Sequence, residues 1–334
     1  MQRRPAIEYY AGPPASDAGA VSWHARLLAY APYRASIAAF AALGLRPRSF
    51  VAAVPYLWLL LFFLAPFVIV FKLSFAQVAI AIPPYTPLMQ WLADGYLQVK
   101  LNLNNYLMLA EKDLYLRAYM TSLRIAGLST LLTLAVGFPI AYAMSRAPAR
   151  WQPLLLMMVI LPFWTSFLIR VYAWIGILKN EGLLNLALMH LGIIDAPLII
   201  LNTDIAVYIG IVYSYLPFMV LPLYANLVKL DPTLLEAAAD LGCRPVKAFW
   251  LVTVPIALPG ILAGCFLVFI PAVGEFVIPD LLGGSNTLMI GKVLWDEFFN
   301  NRDWPLSAAV AVVLVAILVV PIVLAQRAME KSAA

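Results

Sequence analysis

Charge is what this sequence has least of: 12% of its 334 residues are Asp, Glu, Lys or Arg, against 64% that are apolar. That balance leaves too little polar surface to coat a soluble core, so the chain falls in the membrane class. Cysteine is nearly absent. Cys243 sits in a polar stretch and Cys265 inside an apolar run, a poor arrangement for a structural disulfide. Histidine is as scarce, with His24 and His190 standing apart, and four-ligand spacing is missing, so no metal site is expected. There is no Walker A phosphate loop, since Gly291 and Lys292 run on into Val293. The chain is therefore expected to bind no cofactor, leaving ATP and magnesium to another subunit. No nucleophile–base constellation stands out, which argues against an enzyme.

The few charges are unevenly placed. Residues 1–50 carry Arg3, Arg4, Arg26, Arg34, Arg46 and Arg48 against Glu8 and Asp17, the signature of a segment kept in the cytoplasm. Ala29 to Leu45 is apolar but has Arg34 at its middle, where a bilayer centre would cost about 2.5–3.5 kcal/mol, so it reads as an interfacial helix. Six later segments reach the ~20 residues that a ~30 Å hydrocarbon core requires, at about 51–75, 119–144, 153–178, 205–228, 256–279 and 306–327. The fold class read from this is an all-α integral membrane protein with six transmembrane helices over 51–327, both termini cytoplasmic and a tail at 328–334. Arg146, Arg150, Lys229, Arg244, Lys247, Arg327 and Lys331 then fall inside. The acidic set, including Glu181, Asp204, Glu275, Asp280, Asp296, Glu297 and Asp303, falls outside or within spans. The net charge of +5 thus follows from orientation and needs no nucleic-acid partner. Between the first two spans, some forty residues with Pro83, Pro84 and Pro87 must lie outside the bilayer core.

One polar island, 229–255, interrupts the second half. Asp231 followed by Pro232 starts a helix, since the Asp side chain accepts from free amides and Pro gives up a donor that has no partner. Leu234, Ala237, Ala238 and Leu241 share a face, Glu236 and Asp240 another, and Gly242 permits the left-handed turn that stops the helix. Pro245 opens a second short helix, which Pro255 is expected to end before the next span. An ordinary interspan loop is the alternative. Yet Glu236, Ala237, Ala238, Gly242, Val252, Val254 and Pro255 match the spacing of the EAA loop that couples bacterial ATP-binding-cassette importer permeases to their ATPases. Val252 and Val254 replace that pattern's Ile and Leu. Glu236, Ala237, Ala238, Asp240, Gly242, Arg244 and Pro255 are therefore the candidate coupling residues.

The third and fifth spans carry the polar residues a transport path needs. Pro162 frees a carbonyl in the third, and Arg170 there must face protein or water. In the fifth, Gly260 and Gly264 suit tight helix contact, while Pro271, Gly274 and Pro279 loosen the outer half around Glu275. Two readings stand open for Glu275, an ion pair with Arg170 or contact with substrate.

PFWTSFLIRVYAWIGILKNEGLLN (162–185), VFIPAVGEFVIPDLLGG (268–284) and MIGKVLWDEFFNNRDWP (289–305) resemble the permeases of bacterial polyamine importers, the putrescine type among them. The resemblance runs from about residue 50 onward. It implies a type I importer fold in the bacterial inner membrane, a second homologous permease, two copies of a cytoplasmic ATPase and a periplasmic polyamine-binding protein. A dication's path wants carboxylates and aromatic faces, for which Trp164, Arg170, Tyr172, Trp174, Glu275 and Asp280 are the candidates. Interfacial anchoring is the plainer reading for Trp164, Tyr172 and Trp174. Spermidine, another cation or an amino acid on the same architecture, or an ion-coupled carrier, are the competing functions.

Overall fold

The computed structural model describes residues 47–91, 97–284 and 287–333, so the interfacial helix expected at Ala29 to Leu45 lies outside the described residues. The chain divides into two units, Met1–Val70 and Phe71–Ala334. Helix α1 (Pro47–Leu59) runs through a π turn, Leu60–Leu64, into α2 (Ala65–Leu73), and Ala53–Leu73 is long and apolar enough to cross a membrane. The loop that follows is tied by an isolated bridge between Val78 and Tyr85, then forms a two-stranded antiparallel ribbon, β1 (Met89–Trp91) and β2 (Leu97–Val99). This ribbon is the one departure from an all-helical fold among the described residues. Asn105 anchors the loop, its amide donating to the carbonyls of Ser74 (2.8 Å) and Ala76 (3.0 Å).

Helices make up the rest: α3 (Asn104–Glu111), α4 (Asp113–Arg146), α5 (Gln152–Ile160), α6 (Phe167–Leu178), α7 (Leu183–His190) and α8 (Asp204–Leu227). After them come α9 (Thr233–Asp240), α10 (Pro245–Ala248), α11 (Val254–Val273), α12 (Val277–Leu282), α13 (Ile290–Trp295) and α14 (Trp304–Ala333). Long helices α4, α8 and α11 pack together as the centre. In lipid there is little hydrophobic gain from helix contact, so close packing must supply the attraction, and small residues allow it. Met219 of α8 is the wedge. A Cβ on Gly264 would lie 2.6 Å from its sulfur, and one on Gly137 of α4 would lie 2.9 Å from its Cγ. The Gly260 and Gly264 pair thus finds its tight contact on α8. Toward the end that carries Glu275, Val207, Ile211, Val273, Ile278 and Leu282 continue the core. Helix α14 is fastened to α4 and α13 through Tyr119, Val293, Leu306 and Val310, with the Tyr119 hydroxyl donating to the carbonyl of Val310 at 2.8 Å.

Against the six expected spans, four helices among the described residues are long and apolar enough to cross, namely Ala53–Leu73, Asp113–Arg146, Asp204–Leu227 and Pro245–Val273. The sixth segment is present as α14, apolar over Trp304–Val320. Span three is different. It is a broken pair, Gln152–Trp164 and Phe167–His190, bent by 89°. Pro162 draws the chain into a 3₁₀ turn, Leu161–Trp164, after which Thr165 (ψ 151°) and Ser166 (ψ 139°) are extended, so the helix cannot pass through. The fifth span also differs at both ends. It does not reach residue 279, because the helix stops at Val273 and restarts as α12. Nor does Pro255 end the island's second helix. A π turn, Phe249–Thr253, bonds the Val254 amide back to the Phe249 carbonyl, which shifts the ladder where Pro255 has no amide to give, and the helix runs unbroken from Pro245 to Val273.

Candidate functional site

The island stands at the end of the central helices where α4 finishes. Asp231 accepts the Thr233 amide at 3.0 Å, the N-cap bond its sequence position called for. That bond holds the Asp231 carboxyl below its ordinary pKa. At the other end of α9, Gly242 has φ +74°, its amide donates to Ala239 O (2.8 Å) and the Cys243 amide to Ala238 O (2.9 Å). These two bonds are a Schellman closure, and a left-handed residue at that point is what makes both of them possible. The face so presented is open: Glu236, Ala237, Asp240 and Arg244 are exposed, Ala238 is half-buried, and Leu241 is 88% exposed. Val246 is also exposed, so two large apolar side chains stand free on a polar loop. Behind them the island is rooted rigidly. Phe249 packs edge-on against Phe138 (5.5 Å) and Tyr142 (6.1 Å) of α4.

Arg170 sits at the bend of span three. Its Nη1 donates to the Pro162 carbonyl at 2.6 Å, and its guanidinium lies 5.0 Å from the Phe163 ring and 5.8 Å from that of Phe167. The same carbonyl takes the Thr165 hydroxyl at 2.8 Å. The cation is thus met by the Pro162 carbonyl at the break and by two aromatic faces, while its Nε is buried without a hydrogen-bond partner among the described residues. Trp164 at the turn is 76% exposed, Tyr172 is exposed, and Trp174 packs edge-on against Tyr213 of α8 at 5.3 Å.

Glu275 is buried where α11 stops. One oxygen accepts the Tyr215 hydroxyl at 2.5 Å, and the other accepts the amides of Val277 (3.1 Å) and Ile278 (3.5 Å), the first of α12. The structure therefore does not join Arg170 to Glu275: each is held by other groups. Asp280, on α12, pairs with Lys292 at 2.5 Å. A further polar tie at this end links Arg124 to Asp204 (2.7 Å) and Asp204 to Thr287 (2.6 Å), pinning α4, α8 and the segment before α13 together. Tyr215, Lys292 and the Arg124–Asp204–Thr287 tie were not foreseen, because nothing in a single span says which face of which helix will oppose it.

The family described as binding-protein-dependent transport system inner membrane component matches residues 36–332. The spermidine/putrescine transport system permease protein PotB of Haemophilus influenzae is 42% identical over 272 residues, which cover 80% of this chain and 90% of that protein. PotB of Escherichia coli K12 is 44% identical over 220 residues, covering 66% of this chain and 80% of that one. Among solved structures, a bacterial ABC transporter involved in the import of the acidic polysaccharide alginate superposes with a TM-score of 0.63 at 15% identity, over 90% of this chain and 99% of that chain. At that identity the likeness is one of fold alone. Family, relatives and fold agree, and the chain belongs to the binding-protein-dependent transport system inner membrane components.

Proposed function

We propose that this chain is a permease subunit of an ATP-driven importer that carries a polyamine, putrescine first among the candidates, from periplasm to cytoplasm. The polyamine assignment is carried by one observation, the 42% identity over 272 residues to a spermidine/putrescine permease. Putrescine in particular rests on the resemblance of 162–185, 268–284 and 289–305 to that type of permease. In this reading the α9–Gly242–α10 island docks on a cytoplasmic ATPase, which brings the ATP and magnesium. A second homologous permease, two ATPase copies and a periplasmic polyamine-binding protein complete the assembly. Support for the last comes from a structural neighbour solved in complex with an alginate pentasaccharide-bound periplasmic protein. The basic island end faces the cytoplasm and both termini lie on that side.

The test is ATP-dependent uptake by the reconstituted complex in proteoliposomes, offered putrescine, spermidine and a neutral amino acid in turn. Saturable putrescine uptake that needs ATP is the expected result. Preference for spermidine would move the substrate within the class, and transport of the amino acid alone would overturn the class itself.

A further inference from the structure

At the end of the second unit opposite the island, two short helices lie side by side and build a face that the function above has not used. Phe276 and Asp280 are four apart at the start of α12, while Lys292, Trp295 and Phe299 recur at three and four along α13 and the π turn Asp296–Asn300 that continues it. Each set therefore lies along one side of its helix. Packing joins the two sets in register. The Phe276 ring stacks on Trp295, centroids 4.6 Å apart and 11° from parallel, and one turn along Lys292 Nζ meets Asp280 Oδ1 at 2.5 Å. Phe299 extends the stack, 4.1 Å from Trp295. This is no core: Trp295 is 41% and Phe299 54% exposed, and Asp280 is half-exposed.

Two carboxylates behind the face have no ion-pair partner among the described residues. Glu297 is buried and accepts only from neutral donors, the Tyr115 hydroxyl (2.8 Å) and the Asn301 amide (2.8 Å). Glu275, next to Phe276 in sequence, is likewise held by a hydroxyl and backbone amides. Asp296 accepts the Asn300 amide at 2.7 Å. Among the described residues, the salt bridge at this face is Lys292 on Asp280. A pair so exposed adds little to stability. What it does is place a primary ammonium on a four-carbon stem against a carboxylate, one helical turn from an aromatic stack, which is the chemistry of one end of an alkyl diamine.

We propose that Phe276, Trp295, Phe299 and Asp280 form a binding site for the ammonium end of a linear diamine, and that Lys292 is its built-in occupant, displaced from Asp280 when substrate arrives. Attraction comes from Asp280, from the ring surface that the stack leaves exposed and from the carboxylates behind it. The site rests on the polyamine reading and specifies where that substrate is held at this end of the permease.

The experiment is ATP-dependent putrescine uptake by the complete complex across a range of concentrations, with the amount of assembled complex measured for each variant. Lys292→Gln removes the competitor and is expected to lower KM severalfold. Asp280→Asn removes the attraction and is expected to raise KM. Trp295→Ala should raise KM about 2- to 10-fold, the loss of one partly exposed cation–π contact, with kcat little changed. Opposite signs for Lys292→Gln and Asp280→Asn support the site. A structural bridge would instead move both the same way, or lower assembly alike, and either result overturns the proposal. Normal uptake by the unmodified complex with KM unmoved in all three variants sinks this site alone. Failure of the unmodified complex to carry any polyamine sinks the polyamine reading and the site with it.

Discussion

An arginine inside a span needs a counter-ion, acceptors or aromatic faces, and Arg170 has one carbonyl and two rings, with its Nε left unpartnered. Its hydrogen bond to Pro162 and the rings of Phe163 and Phe167 hold the bend of span three from inside. Losing a hydrogen bond from a charged donor costs about 1.5–3 kcal/mol, so Arg170→Gln should lower the thermal midpoint of the purified complex by that equivalent. Glu275→Gln should cost a similar amount, since Gln keeps one acceptor oxygen where the carboxylate offers two to Tyr215 and the α12 amides. Because the two residues share no contact, the double variant is expected to be additive within about 0.5 kcal/mol. Rescue of one by the other would restore the ion pair as the right description. Uptake adds the second reading of Glu275: an assembled Glu275→Gln complex that carries putrescine at the unmodified rate would take this carboxylate off the substrate path.

Among the elements, α9 illustrates how a short helix is kept in a loop. Eight residues are too few to be stable alone, and the caps at Asp231 and Gly242 close both ends. The Asp231 carboxyl is held low chiefly by the Thr233 backbone amide. Its ionised form is therefore the capping form, and the stabilisation is complete above the ordinary Asp value of about 3.9 and lost as pH falls through the lower folded value. Amide exchange at Thr233 to Glu236 should be faster in Asp231→Ala than in the unmodified protein at neutral pH, and the difference should close at the acid end. Equal exchange at neutral pH would show that the cap contributes nothing. Span three and the junction at Pro255 teach the reverse lesson about proline. Pro162 broke its helix while Pro255, Pro259 and Pro271 did not, because a π turn or neighbouring helices can meet the freed carbonyls.

For the molecule as a whole, the proposed docking on an ATPase requires the island to pass motion to the central helices, and Gly242 is where that proposal can be tested without dismantling the fold. A Cβ there meets open space, so Gly242→Val introduces backbone strain of about 1–2 kcal/mol and no clash within this chain. The expected outcome is a normally inserted permease whose uptake and stimulation of ATP hydrolysis both fall by at least tenfold. Normal transport by that variant would remove the coupling role from the island.

The sequence alone determined the membrane class, the apolar stretches that became the long helices, the island with its two caps and the absence of a Walker A loop, since each depends on composition or on spacing within a few residues. Gly242 at φ +74° and the Asp231 bond are local events that local residues dictate. The partners of Glu275 and Asp280 were decided by tertiary packing. Each turns on which helix face meets which, across 60 residues of chain for Tyr215 and Glu275 and 182 for Tyr115 and Glu297. In a bundle where most side chains are apolar, no periodicity distinguishes a lipid-facing side from a partner-facing one, so only the packed structure could choose the polar contacts that remain.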